Sequence, residues 1–253
     1  MSEKTEQVPE PTPEGDSARD GTLDMVGNGV PPAQGPIPTP TGEIPDILHM
    51  DRLGEGSQGA AGGDYIIDPK IEANTAKRLK DAGVTQANFR GDKVLAEWVA
   101  DGLAKVRNAR MAVPPVIEIN TAPFNRRSEG VAYYDGNRKA IYLNSRRVPA
   151  DVAAAAVSNF RIQNWSSADP HHPLLHEVGH YNHHLAAGDA DFKRAIKPGS
   201  IKNFADASLI EREVGTYART SRANFVAEVF AGRSAGRTFP STVMRLYYSM
   251  GGP

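Results

Sequence analysis

The segment HPLLHEVGHYNHHLAAG, residues 172–188, constrains this chain more than any other stretch. His176 and His180 are four residues apart, so on a helix they share one face about one turn apart. Two imidazoles at that spacing can grip a single divalent ion. Glu177 follows the first histidine and leans toward the same ion, where its carboxylate can take a proton from an activated water. Pro170 or Pro173 suits the first turn of such a helix and Gly188 its end. Gly179 leaves room for a neighbouring helix to come close. A tetrahedral ion needs a third protein ligand, which this helix cannot supply. His183 lies on the same face, but two turns from His176, at about 10 Å of helical rise. His183 and His184 are therefore expected to be solvated or to sit in an outer layer. The fold has to bring a second element against this helix.

Charge and composition divide the chain. Residues 1–62 hold eleven acidic side chains against Lys4, Arg19 and Arg52, a local net of −8. With the whole chain at −1, the remainder carries +7. The same leader holds nine of the nineteen prolines and ten of the glycines, so it buries too little surface to offset its backbone entropy and is expected to be disordered. The basic remainder suits an acidic substrate or neighbour but decides nothing alone. The chain contains no cysteine, which excludes disulfides, thiolate ligands and a cysteine nucleophile. No apolar run is long enough to span a bilayer, so no membrane partner is expected. The start, MSEKTEQVPEPTPEGD, has neither a basic region nor an apolar core, so no secretory signal is expected. The expected destinations are the cytoplasm, a virion or a host cell reached by another route.

From residue 63 onward the pattern is that of one folded domain. IEANTAKRLKDAG reads as a helix, and so does GDKVLAEWVADGLAKVRNAR, with Val94, Leu95, Trp98, Val99, Leu103 and Val106 along one stripe. PPVIEIN reads as a buried strand, and VAYYDGNRKAIYLN as a hairpin turning at Asp135-Gly136-Asn137. Only helices follow: ADVAAAAVSNFRI, the histidine segment, DFKRAI, a stretch around SLIEREVG, RANFVAEVFAG and STVMRLYYSM. Helices, a small sheet, then helices make an α+β arrangement with a mainly helical C-terminal half. Arg126, Arg127, Arg146 and Arg147 are the densest basic pairs. Without a nucleic-acid motif they are expected on the solvated surface, and no nucleic-acid partner is indicated.

The second element is TYARTSRANFVAEVF, residues 216–230. Together with HEVGH it resembles the anthrax lethal factor-like, gluzincin-type zinc metallopeptidases, whose second motif reads S-Y-[GA]-R-T-[NS]-x-A-E-F-F-A-E-A-F. Related domains close phage head-morphogenesis proteins, and the end of this chain, LYYSMGGP, is similar to their tails. The resemblance covers residues 116–253. It implies a zincin-like domain over 63–253 with a small mixed sheet, Zn²⁺ as cofactor and peptide-bond hydrolysis of a protein or peptide substrate. It also implies capsid or other particle proteins as partners, or the destination of a toxin delivered to a host cell.

Position by position, the resemblance places His176 and His180 on the zinc ligands and Glu177 on the general base. Tyr217 falls on a tyrosine that faces the catalytic centre, where it can stabilise the oxyanion or protonate the leaving amine. Glu228 falls on a glutamate that orients a ligand histidine. The family's third ligand, a glutamate, falls on Asn224. A neutral amide binds zinc more weakly than a carboxylate. Three outcomes stay open: Asn224 as a weak ligand, Glu228 as a substitute ligand one turn on, or a site without zinc. Glu211 and Glu213 are further carboxylates, expected to be solvated. The hairpin AYYDGNRKAIYLN is a candidate edge strand for pairing with an extended peptide.

Overall fold

The computed structural model describes residues 66–109, 111, 117–120, 130–148 and 150–253. The leader 1–62, the first residues of PPVIEIN, and Arg126 and Arg127 lie outside the described residues. The domain is mixed α/β and mainly helical, compatible with the α+β expectation.

Its N-terminal half is built on one five-stranded sheet. The strands are β1 (Ile66–Ile67), β2 (Val84–Asn88), β3 (Ile117–Asn120), β4 (Ala132–Asp135) and β5 (Ala140–Leu143), ordered β1-β2-β3-β5-β4. The first four in that order run parallel, and β4 pairs antiparallel with β5 at the edge. Parallel neighbours need crossovers. Helix α1 (Ala73–Asp81) makes the crossover from β1 to β2, and α2 (Lys93–Asn108) the one from β2 to β3. The expected order, helices first and sheet second, is thus corrected: β2 is threaded between the two helices. VTQAN has polar residues at three of five positions, and only Val84 and Ala87 are buried. Its strand character comes from backbone pairing on both sides rather than from a hydrophobic pattern of its own.

Helix α2 starts at the N-cap Asp92, whose side chain accepts a hydrogen bond from the Leu95 amide at 2.9 Å. It buries Leu95, Trp98, Val99, Leu103 and Val106 as the stripe required. Val94 departs from that expectation and is 65 % exposed. It stands in the open first turn, at the margin of the stripe. The hairpin forms as expected, with Tyr133 facing Tyr142 in register and stacked on it at 4.9 Å. Arg147 is buried rather than solvated, while Arg146 is exposed.

Six helices follow: α3 (Val152–Arg161), α4 (His172–Ala187), α5 (Asp189–Ala195), α6 (Phe204–Glu213), α7 (Arg222–Ser234) and α8 (Ser241–Ser249). A short 3₁₀ turn, Tyr217–Thr220, leads into α7. The larger apolar core lies among the sheet, α1, α2 and α4, and a smaller one joins α6, α7 and α8. Helix α7 serves both. Ala223, Phe230 and Ala231 face the larger core, and Phe225, Val226 and Val229 the smaller. Residues 223–232 are consequently buried all round, as are residues 172–184 of α4. Helices α4 and α7 pack directly on each other. A Cβ placed on Gly179 would lie 2.8 Å from the Ala227 Cα, so only glycine permits the approach.

Candidate metal centre

Two helices buried on every side should be apolar throughout. Instead α4 and α7 place His172, His176, Glu177, His180, His183, His184, Asn224 and Glu228 out of water. Burying such groups costs free energy unless they find partners in the interior.

Local chemistry fixes where each helix begins. Asp169 accepts from the His171 amide at 2.8 Å, and Pro173 occupies the first turn of α4, where a missing N–H is harmless. Gly188, at φ 76°, ends that helix. Helix α7 is capped by Ser221, whose hydroxyl accepts from the Asn224 amide at 3.0 Å. Asn224 therefore sits in the first turn, and Glu228 one turn deeper on the same face.

Around Glu228 the polar groups are fully matched. Its Oε1 accepts from His172 Nε2 at 3.0 Å and from His176 Nδ1 at 2.9 Å. Its Oε2 accepts from the Ser166 amide at 2.7 Å, and its backbone carbonyl from the Ser166 hydroxyl at 2.6 Å. His172 is stacked on Trp165 at 4.7 Å, and its Nδ1 lies 3.0 Å from Ser167 Oγ. Burial alone would push the Glu228 carboxyl up. The neighbouring His172, together with the hydrogen bonds from His172 and His176, outweighs it and holds the group well below the usual carboxylate range. His172, His176 and Glu228 form a buried cluster able to hold a metal ion, with ligand atoms within 4.8 Å of one another.

One turn away the matching stops. With Nδ1 of His176 engaged by Glu228, the lone pair of its ring lies on Nε2, and this atom is buried without a hydrogen-bond partner. Nδ1 of His180 is likewise buried and unpartnered. The two rings stand edge to face, 4.6 Å apart. Burial lowers the pKa of both histidines, that of His180 the more strongly, so both are held neutral, the form that binds metals. The Asn224 side chain lies near both rings and raises their pKa values slightly against the larger lowering by burial. The rings of His176 and His180 thus lie side by side in the α4–α7 interface, with Glu228 bonded to the Nδ1 of His176.

The remaining candidates fall nearby. Glu177 is buried beside His176 on α4. The Tyr217 ring is 5.4 Å from that of His176, carried there by the 3₁₀ turn. Glu211 and Glu213 pair with Arg219 and Arg212 in surface ion pairs, as expected of solvated carboxylates.

Of the two expectations for His183 and His184, the solvated one falls away, because both are buried. Helix α5 folds back after Gly188, and Phe192 stacks on His184 at 4.3 Å. Nδ1 of His184 lies 2.9 Å from the Tyr134 hydroxyl, and its Nε2 lies 2.7 Å from Asp189 Oδ1. His183 is bonded to the Met250 backbone, and burial, opposed by that bond, lowers its pKa to about 4. His172 carried no expectation from the sequence. Its signal was there, since His172, His176 and His180 repeat at intervals of four. Scans of family models, of curated proteins and of solved structures found no match for this chain.

Proposed function

We propose that the chain is a zinc-dependent endopeptidase with a zincin-like domain, in which His176, His180 and Asn224 hold the ion and Glu228 orients His176. The observation that carries this reading is the pair of unpartnered imidazole nitrogens facing an amide in a dry interface. Buried polar atoms without a partner call for an explanation, and a bound metal accounts for two imidazole nitrogens beside an amide. Glu228 is read as an orienting group rather than a ligand, because both its oxygens are already committed to His172, His176 and Ser166.

Zinc bound there would supply Lewis acidity toward a water and the scissile carbonyl. Every other task falls to the chain. The Glu177 carboxylate takes a proton from the attacking water and passes it to the leaving amine. Tyr217 hydrogen-bonds the oxygen on which charge develops. Strand β4, at the edge of the sheet, offers its backbone to an extended peptide. His184 ties the Tyr134 side chain of that strand to α4, which keeps the edge in place relative to the histidines.

The neutral residue at 224 favours a second reading: a phage head or assembly protein that keeps this fold with weak or lost activity. A peptide-library cleavage assay separates the two. Zinc-loaded protein should cleave, and Glu177→Gln should lower turnover by about 10²–10⁴-fold with metal content unchanged. Equal cleavage by the variant would remove Glu177 from the mechanism. Absence of any turnover, with the protein bound to particles, would select the second reading.

A further inference from the structure

We propose that Thr220 is a positioning residue that decides which end of the Asn224 amide faces His176 and His180. The proposal rests on the metal-site reading above. Thr220 closes the 3₁₀ turn before α7, and its Oγ1 donates to the Tyr217 carbonyl at 2.7 Å. A threonine hydroxyl has one proton, and here it is spent. The same oxygen can meet Asn224 only as an acceptor, so the 2.7 Å contact between them belongs to the amide nitrogen, Nδ2. That leaves the amide oxygen for the other side of the side chain, and Asn224 stands one turn before Glu228, which bonds His176, on the face of α7 that packs against α4.

The orientation of an asparagine is usually weakly determined, because its two ends have the same shape. A flipped Asn224 would aim an NH₂ group, with no lone pair to offer, at a cation. Thr220 prevents this, and its β-branched side chain is itself restricted in χ1. Ser221 caps the Asn224 amide and so fixes the backbone from which the side chain departs. A carboxylate at 224 would need no such help, since its two oxygens are equivalent. The Thr220 hydroxyl therefore matters for orientation only with an amide at 224. It also links that amide to Tyr217 through a single oxygen atom.

The experiment measures zinc affinity by competition with a chromogenic chelator on the full chain. Thr220→Val should weaken zinc binding by about 10–100-fold, the usual effect of losing a group that orients a ligand. Thr220→Ser, which keeps the hydroxyl, should restore it. In an Asn224→Asp background the same Thr220→Val change should have little effect. Should valine disturb the turn, as judged by thermal unfolding, Thr220→Ala is read in the same two backgrounds. Unchanged affinity in Thr220→Val, or equal losses with Asn and Asp at 224, would overturn the proposal while leaving the metal site standing. Zinc binding by the intact protein no tighter than by His176→Ala would overturn both together.

Discussion

Two polar pockets lie one helical turn apart in the α4–α7 interface and are finished differently. At Glu228, a carboxylate with no exposure meets two imidazoles and a backbone amide, and each group has its partner. At Asn224, two imidazole nitrogens equally withdrawn from water have none. Each such group costs about 1–3 kcal/mol when left unsatisfied. The first pocket is what stable burial of charge requires. In the proposed reading the second leaves donors for a metal, and His176 belongs to both through its two nitrogens. The closed pocket sets the tautomer and aim of the histidine that the open pocket uses.

The comparison breaks most severely at Glu228. Glu228→Ala leaves the N–H groups of His172 and His176 buried and unpaired, and should lower unfolding stability by about 3–5 kcal/mol in urea titration. A loss below that of an ordinary surface substitution would mean the closed pocket is not closed. Acid should act next. In the unfolded chain His183 titrates near 6.5, while in the fold it does so at about 4, mainly because it is buried. Between those values the unfolded chain binds a proton that the folded chain refuses, so stability falls as pH falls from 6.5 to 4. The expected loss is on the order of 3 kcal/mol. Burial of His176 and His180 acts in the same direction, and the depressed Glu228 carboxyl adds its loss at still lower pH. Urea midpoints across this range should slope down, and less steeply in His183→Leu. A flat profile would contradict the burial of these histidines. The smallest of these effects comes from separating the helices. Gly179→Ala places a methyl group against the Ala227 backbone, which cannot step aside cheaply, and should cost about 1–3 kcal/mol in thermal unfolding. If alanine is tolerated without cost, the two helices are not in direct backbone contact.

The two pockets also differ in how far they could be read in advance. Helix α2 was legible from its apolar stripe, α4 from the proline and glycine at its ends, and α7 from the family motif. His176, His180 and Glu177 were legible because their spacing sets them on one helical face, whereas Asn224 entered only through the family resemblance. Strand β2 was not, since a short parallel strand with three polar residues takes its identity from neighbours far away in the chain. In the closed pocket Glu228 was anticipated through the resemblance, but its partners His172 and Ser166 were hidden. His172 and Glu228 are separated by 56 residues, and Ser166 by 62 from the carboxylate it caps. Nothing local in the sequence states that these meet. That His183 and His184 are buried rather than solvated has the same origin. Their burial depends on α5 turning back at Gly188 and on the C-terminal tail reaching α4, with a Cβ on Gly251 falling 3.2 Å from His183 Nε2.

The central claim is that the open pocket at Asn224, and not the closed one at Glu228, holds the metal. Zinc affinity of the intact protein, Asn224→Glu and Glu228→Gln, measured by competition with a chromogenic chelator, tests it most directly. Glutamate at 224 adds a negative charge and a strong oxygen donor to the open pocket, so it should tighten zinc binding. Glu228→Gln should weaken it by about 10–100-fold, as expected for a group that only aims a ligand. If Asn224→Glu leaves the affinity unchanged and Glu228→Gln releases the metal altogether, the ion belongs to His172, His176 and Glu228, and the assignment of the metal to the Asn224 pocket is wrong.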